Sequence, residues 1–155
     1  MTTTPVTRAL DSLKVPYRLH LHTKPLRSLE QAASERGLLP DQIVRSLVFR
    51  LEDERYVMVL MPGPGKVDWP KLRHHLGVSR ITTAEADEVR TITGYETGAV
   101  SPFGLPAPLR ILADRRIMDH ETISIGAGIR NAGIILQRDD LLRAIKPELG
   151  DFSAD

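Results

Sequence analysis

Apolar positions along this chain recur with two different periods. Behind Thr4-Pro5, where a threonine cap precedes proline at the first helical position, Val6, Leu10 and Leu13 return at helical spacing and predict a helix ending near Lys14. Tyr17 to Leu21 reads as a short strand. Ser28 and Gln31 have capping-box spacing and Gly37 supplies a stop, so a second helix is expected between them, with Leu29, Ala32 and Ala33 facing its core. Ile43 to Leu51 and Tyr56 to Met61 read as strong strands across the polar turn Glu52-Asp53-Glu54, which predicts a hairpin. After Pro62-Gly63-Pro64-Gly65, Asp68 should cap a helix that carries Pro70 in its first turn and ends at Gly77. Val78 to Ile81 then reads as a strand and Thr82, with Glu85 three residues on, as the start of another helix. Leu109 to Ala113, Thr122 to Ile125 and Ile134 to Leu136 are expected late strands, and Asp139 to Ile145 a closing helix halted by Pro147.

Between these elements, Gly94 to Pro108 is too punctuated by glycine and proline for a helix and too apolar for a disordered linker. It reads as a structured loop. Gly98 and Gly104 let backbone amides approach a substrate, and Pro102 fixes the turn that presents them; such amides can hold a carbonyl or a developing oxyanion. A structural crossover loop would have the same composition. Arg45 is the second anomaly, because the odd positions of its strand are Ile43, Arg45, Leu47, Phe49 and Leu51, which sets a guanidinium in an apolar stripe. Either it serves an anionic or carbonyl-bearing ligand, or it snorkels to water or pairs with a carboxylate such as Glu85.

Composition narrows the chemistry. The chain has 155 residues and no cysteine, enough for one core without disulfides, and no thiol nucleophile or thiolate-held metal is available. With 21 Lys+Arg against 20 Asp+Glu the formal net charge is +1, which argues against coating long nucleic acid but permits a partner presenting one or two phosphates. No apolar run approaches the length of a membrane span and no secretory signal is evident at the start, so the expected compartment is the cytoplasm. His20 and His22 share one strand face, but no third ligand stands near them, and no metal is expected. Gly63-Pro64-Gly65-Lys66 lacks the longer loop and the hydroxyl residue of a P-loop, and Gly126, Gly128 and Gly133 lead into a strand where a dinucleotide fingerprint opens a helix. No cofactor is expected, and no Ser-His-Asp or nucleophile-elbow pattern is present.

The order of the pieces nevertheless resembles a known family. Tyr17 with His20 and His22, residues 28–33, Gln42 to Phe49, Val67-Asp68 with Leu72, Thr93-Gly94-Tyr95, Gly98 to Gly104, Asp114 and Asp140-Leu141 are similar to the YbaK/ProX family of aminoacyl-tRNA deacylases, a module that also occurs as the editing insertion of many bacterial prolyl-tRNA synthetases. The likeness spans nearly the whole chain and is most specific from Thr93 to Gly104. It implies an α+β fold, a single domain over residues 1–155 with a curved mixed β-sheet and flanking helices. It also implies a trans-acting editing hydrolase that deacylates mischarged aminoacyl-tRNA, with proline tRNA carrying a small wrong amino acid as the expected substrate. Arg45 would be the catalytic residue, and His22, Gly94, Gly98, Ala99, Val100, Ser101, Pro102 and Gly128 the substrate-binding set. The implied partners are the acceptor end of an aminoacyl-tRNA and an aminoacyl-tRNA synthetase.

Three departures from the family pattern stand out. Arg45 occupies the position where members with editing activity carry lysine, and arginine cannot act as a general base. The alternative function is therefore a non-catalytic homologue that binds an aminoacyl-tRNA end or an amino acid. Ala99 replaces a glycine of many relatives, and Gly133 stands where some place an aspartate.

Overall fold

Capping chemistry sets most helix ends. The computed structural model describes residues 2–154. Helix α1 (Pro5–Ser12) starts at Thr4, whose side chain accepts the Thr7 N–H while the Thr7 hydroxyl accepts the Thr4 N–H. Helix α2 (Leu29–Arg36) is capped by Ser28 and stopped by Gly37 in the left-handed region at φ 74°. Helix α3 (Trp69–Leu76) is capped by Asp68 and stopped by Gly77 at φ 69°. These three meet the sequence expectations. Helix α4 (Ala86–Thr93) does not begin at Thr82. Thr82 pairs with Arg50 inside a strand, and the start passes to Glu85, whose N–H donates to the Glu88 carboxylate. Helix α5 (Arg138–Ile145) closes the set.

The strands are β1 (Tyr17–Leu21), β2 (Val44–Leu51), β3 (Tyr56–Pro62), β4 (Ile81–Thr83), β5 (Arg110–Asp114), β6 (Thr122–Gly126), β7 (Ala132–Gln137) and β8 (Glu148–Gly150). The architecture is α+β, with helices flanking open sheets, as expected; the strands divide into two sheets. An antiparallel sheet has the order β1-β7-β6, and a mixed sheet the order β4-β2-β3-β5-β8. In the mixed sheet, β2 pairs antiparallel with both β3 and β4, while β5 runs parallel to β3 and β8 parallel to β5.

The mixed sheet is buried on both faces, which is why β3 reads as an unbroken apolar run. One face sends Val44, Val48, Met58 and Leu60 into a core shared with Val6 and Leu10 of α1, Val89 of α4 and Ile123, Ile125 and Ile134 of the smaller sheet. The other sends Phe49, Leu51, Val57, Val59 and Met61 against Leu72 and Leu76 of α3 and against Phe152. Asp114, 1% exposed, ties the C-terminal segment down: its carboxylate accepts from the N–H groups of Arg116 and Phe152 and from the Ser153 hydroxyl. Among the described residues no helix is long and apolar enough to cross a membrane.

Candidate functional site

Strand β2 has an open edge. The Leu51 N–H donates to Arg55 O and the Gly63 N–H to Ile43 O, so the odd residues of β2 turn their backbone polar groups toward β3 and the even residues turn theirs away. On that outer edge β4 pairs only with Phe49–Leu51, and the Ala84 N–H takes the Val48 carbonyl. Below Val48 the partner chain leaves to form α4. The N–H and C=O of Ser46 therefore lie along an unpaired edge.

A cavity of about 750 Å³ wraps this edge. Its lining draws on β2 from Val44 to Phe49, on Lys66 and Trp69 beside α3, on Gly98 and Val100 of the long loop, and on Arg36, Gly126 and Ala132 from the side of the smaller sheet. Among the described residues the charged lining residues are Arg36, Arg45 and Lys66, all cationic, which favours an anionic or strongly polar ligand. Among the described residues, neither a histidine nor a carboxylate belongs to the lining.

Arg45 is half-buried, and burial holds its pKa below the ordinary value. Its Nη2 donates to the carbonyl of Gly65, in the Pro62-Gly63-Pro64-Gly65 turn, and no ion pair with Glu85 forms. The buried Nε of Arg45 and the buried Oγ of Ser46, adjacent on the strand, have no protein partner among the described residues. Adjacent strand residues point to opposite faces, so one unpaired buried polar atom lies on each side of the β2 edge that the cavity wraps, where a ligand would complete the hydrogen bonding.

The loop from Gly94 to Pro108 is held from behind. The Tyr95 hydroxyl donates to Phe103 O at 2.6 Å, the Phe103 N–H to Ser101 Oγ, the Ala99 N–H to Glu96 O and the Gly128 N–H to Ala99 O. Burial pushes the Tyr95 phenol up to about 12, so this hydroxyl stays a donor. Gly126 makes the close approach possible, because a Cβ there would lie 2.0 Å from Val100 O. At Gly98, with φ 93°, the same construction meets nothing within 4 Å, so the chain faces open space.

The predicted residues thus fall into two groups. Arg45, Gly98 and Val100 meet at the cavity. Gly94 ends α4 in the left-handed region, Ala99 and the fully buried Ser101 lie behind the loop surface with Pro102, and Gly128 packs near Tyr95, Val6 and Thr4. His22 is one step removed: its Nδ1 meets Glu35 at 2.8 Å and its Nε2 accepts from Arg36 Nε at 3.1 Å. The hydrogen bond with His22 holds the Glu35 carboxyl below the usual carboxylate range. His20 and His22 have ring centroids 4.6 Å apart, and among the described residues no group of three potential ligands could hold a metal.

Sequence reasoning missed Arg36, Ser46, Lys66 and Trp69. A signal for Arg36 was present: it follows Leu29 and Ala33 at helical spacing on the apolar face of α2, so its side chain had to enter the interior.

The aminoacyl-tRNA editing domain family matches residues 23–144, and the chain belongs to that family. The proline–tRNA ligase of Streptococcus thermophilus is 29% identical over 158 residues, an alignment covering 98% of this chain and 25% of the ligase. The ligase of Bacillus licheniformis is 33% identical over 107 residues, covering 69% and 18%. The chain thus spans 25% of the length of the first of these relatives. Among solved structures, hypothetical protein APE2540 superposes with a TM-score of 0.87 at 26% identity, covering 96% of this chain and 99% of that one. A candidate trans-editing enzyme for prolyl-tRNA synthetase gives a TM-score of 0.88 at 24% identity with 100% of both chains covered, a likeness of fold.

Proposed function

We propose that this chain, acting as one unit over residues 1–155, hydrolyses the ester of mischarged aminoacyl-tRNA in trans. The expected substrate is proline tRNA carrying a small wrong amino acid, met in the cytoplasm where charged tRNA is used. The observation that carries the reading is the cationic cavity on the open edge of β2, lined also by Gly98 and Val100, where Arg45 and Ser46 hold unpartnered polar atoms on the two sides of the strand. A synthetase pocket separates side chains differing by one methylene by only about 1–3 kcal/mol, which is why a second sieve exists.

In this mechanism the acceptor end enters with its phosphate or ester carbonyl at the Arg45 guanidinium, and the backbone N–H groups of Gly98 and Val100, the residues of the loop that line the cavity, receive the carbonyl oxygen as it becomes an oxyanion. Water attacks the carbonyl carbon, the ester C–O bond breaks, and the proton lost by water ends on the departing ribose oxygen. Among the described residues the lining offers neither histidine nor carboxylate, and in this reading the proton passes through groups of the substrate itself, a ribose hydroxyl or the α-amine. Arg45 orients and stabilises charge; it does not accept the proton.

The test is a deacylation time course with proline tRNA charged with alanine, cysteine, serine, threonine or 2-aminobutyrate. Arg45→Ala should lose on the order of a hundredfold in rate, the scale set by removing one oxyanion donor, and Arg45→Lys should retain or exceed wild-type activity. Equal rates for wild type and Arg45→Ala would remove Arg45 from the mechanism. The second reading, a binding protein without turnover, is favoured by the arginine at the family's lysine position. Protection of the folded chain by a charged acceptor end without hydrolysis would select it.

A further inference from the structure

Arg36 is the most deeply placed cation of the cavity. It is 8% exposed, and burial holds its pKa below the ordinary value. Among the described residues no carboxylate touches its guanidinium. Its Nε donates to His22 Nε2 at 3.1 Å, Nη1 to Ser124 Oγ at 2.9 Å and Nη2 to Ala132 O at 3.2 Å. Those bonds occupy three of the five N–H donors of a guanidinium, and among the described residues the other two have no partner. The fold makes room for the group: a Cβ on Gly133 would lie 2.2 Å from Arg36 Cζ, so the guanidinium sits over a bare Cα where any other residue would collide with it.

Arg36 and Arg45 stand on opposite sides of the β2 edge. Arg45 belongs to the odd face, beside Lys66 and Trp69, whereas Arg36 is bonded to Ser124 and Ala132 of the smaller sheet. An ester held at Arg45 and the Gly98 loop would direct its acyl group past the edge toward Arg36. An apolar side chain arriving there would displace water from two N–H donors and give nothing back, whereas a side-chain oxygen would replace the lost bonds.

We propose that Arg36 is a specificity residue that selects short acyl side chains carrying an oxygen acceptor, as in serine, threonine or aspartate, over apolar side chains of the same size. The inference rests on the deacylase reading for its kinetic test and on the cavity alone for its binding test. His22 is then a positioning residue, since its acceptor nitrogen and Glu35 fix the rotamer of Arg36.

The experiment compares kcat/KM for proline tRNA charged with serine, threonine, alanine and 2-aminobutyrate in wild type, Arg36→Met, Arg36→Lys and Gly133→Ala. Wild type should prefer the hydroxylated esters by at least about tenfold, a modest fraction of what hydrogen-bonding sites achieve against analogues lacking the polar group. The preference should vanish in Arg36→Met, recover in part in Arg36→Lys, and vanish in Gly133→Ala, where the new methyl group displaces the guanidinium. Wild type that hydrolyses alanyl and 2-aminobutyryl esters as fast as seryl and threonyl esters overturns the proposal without any variant, whether or not Arg36→Met folds. A folded Arg36→Met that keeps the preference overturns it as well. If wild type hydrolyses nothing, the deacylase reading fails, and binding of 3′-amino-3′-deoxyadenosine carrying a seryl or alanyl amide decides the Arg36 assignment. Tighter seryl binding supports it and equal binding overturns it.

Discussion

Removing one oxygen atom from Tyr95 tests whether the long loop is held rigid for its task. In Tyr95→Phe the donor to Phe103 O is lost from a residue that is 2% exposed, leaving a buried carbonyl without its partner. Water cannot replace the hydroxyl, because it is packed against Gly104, where a Cβ would lie 2.5 Å from the Tyr95 oxygen. The cost is therefore that of an unsatisfied buried acceptor, about 1–3 kcal/mol, with the upper half of that range expected here. For a chain of this size that upper half corresponds to a fall in Tm of roughly 4–12 °C. Because the phenol titrates only near 12, the loss should be the same at every pH at which the protein is folded. Thermal and urea unfolding measure it, and deacylation kinetics should show a raised KM, since Gly98 and Val100 lie on the same loop. Tyr56→Phe is the control: Tyr56 also donates a short hydrogen bond, to Glu88, but at a partly exposed site where water can substitute, and it should cost less. A Tyr95→Phe protein as stable as wild type, or less affected than Tyr56→Phe, would refute the reasoning.

Two more outcomes are expected. Gly126→Ala places a methyl group 2.0 Å from Val100 O, so the loop must back away from β6; kcat/KM should fall on the order of ten- to a hundredfold while the chain still melts cooperatively. The pH dependence of stability has a definite sign at Glu88, whose carboxyl is held below the ordinary 4.5 first by the Tyr56 hydrogen bond, then by the Glu85 N–H and Arg50. A depressed folded pKa means the contribution is present above 4.5 and is lost as pH falls through the folded value. Urea midpoints between about pH 6 and pH 3 should therefore show a shallower acid limb in Glu88→Gln than in wild type.

What the sequence made legible was local. The caps at Thr4, Ser28 and Asp68, the glycine stops and the β2–β3 hairpin are decided by neighbours a few residues apart, and all are found. Thr82 was misread because its cap chemistry competes with a strand register against Arg50 that no local pattern reveals. The division into two sheets was likewise hidden, since it depends on β1 meeting β7, with Tyr17 opposite Leu136. At the site, Arg45 and the glycine loop stood out as anomalies in periodic patterns. Arg36 did not, because a basic residue in the last turn of a helix is ordinary and its spacing behind Leu29 and Ala33 is the one sequence hint that it points inward. Gly126 and Gly133 read as strand glycines without purpose until the Val100 carbonyl and the Arg36 guanidinium were seen against them.

The open edge of β2 also bears on how this chain behaves in a crowded solution. A strand with unanswered N–H and C=O groups normally invites a strand of another molecule, and proteins protect such edges with charge, proline or a covering segment. Here the edge at Ser46 lies within a cavity lined by Val89 of α4, Gly98 of the long loop, the buried Arg36 and the half-buried Arg45, which together stand where a covering segment would. A foreign strand would have to displace these side chains to pair with Ser46. The lining that would receive a ligand thus also stands between this edge and the backbones of other proteins.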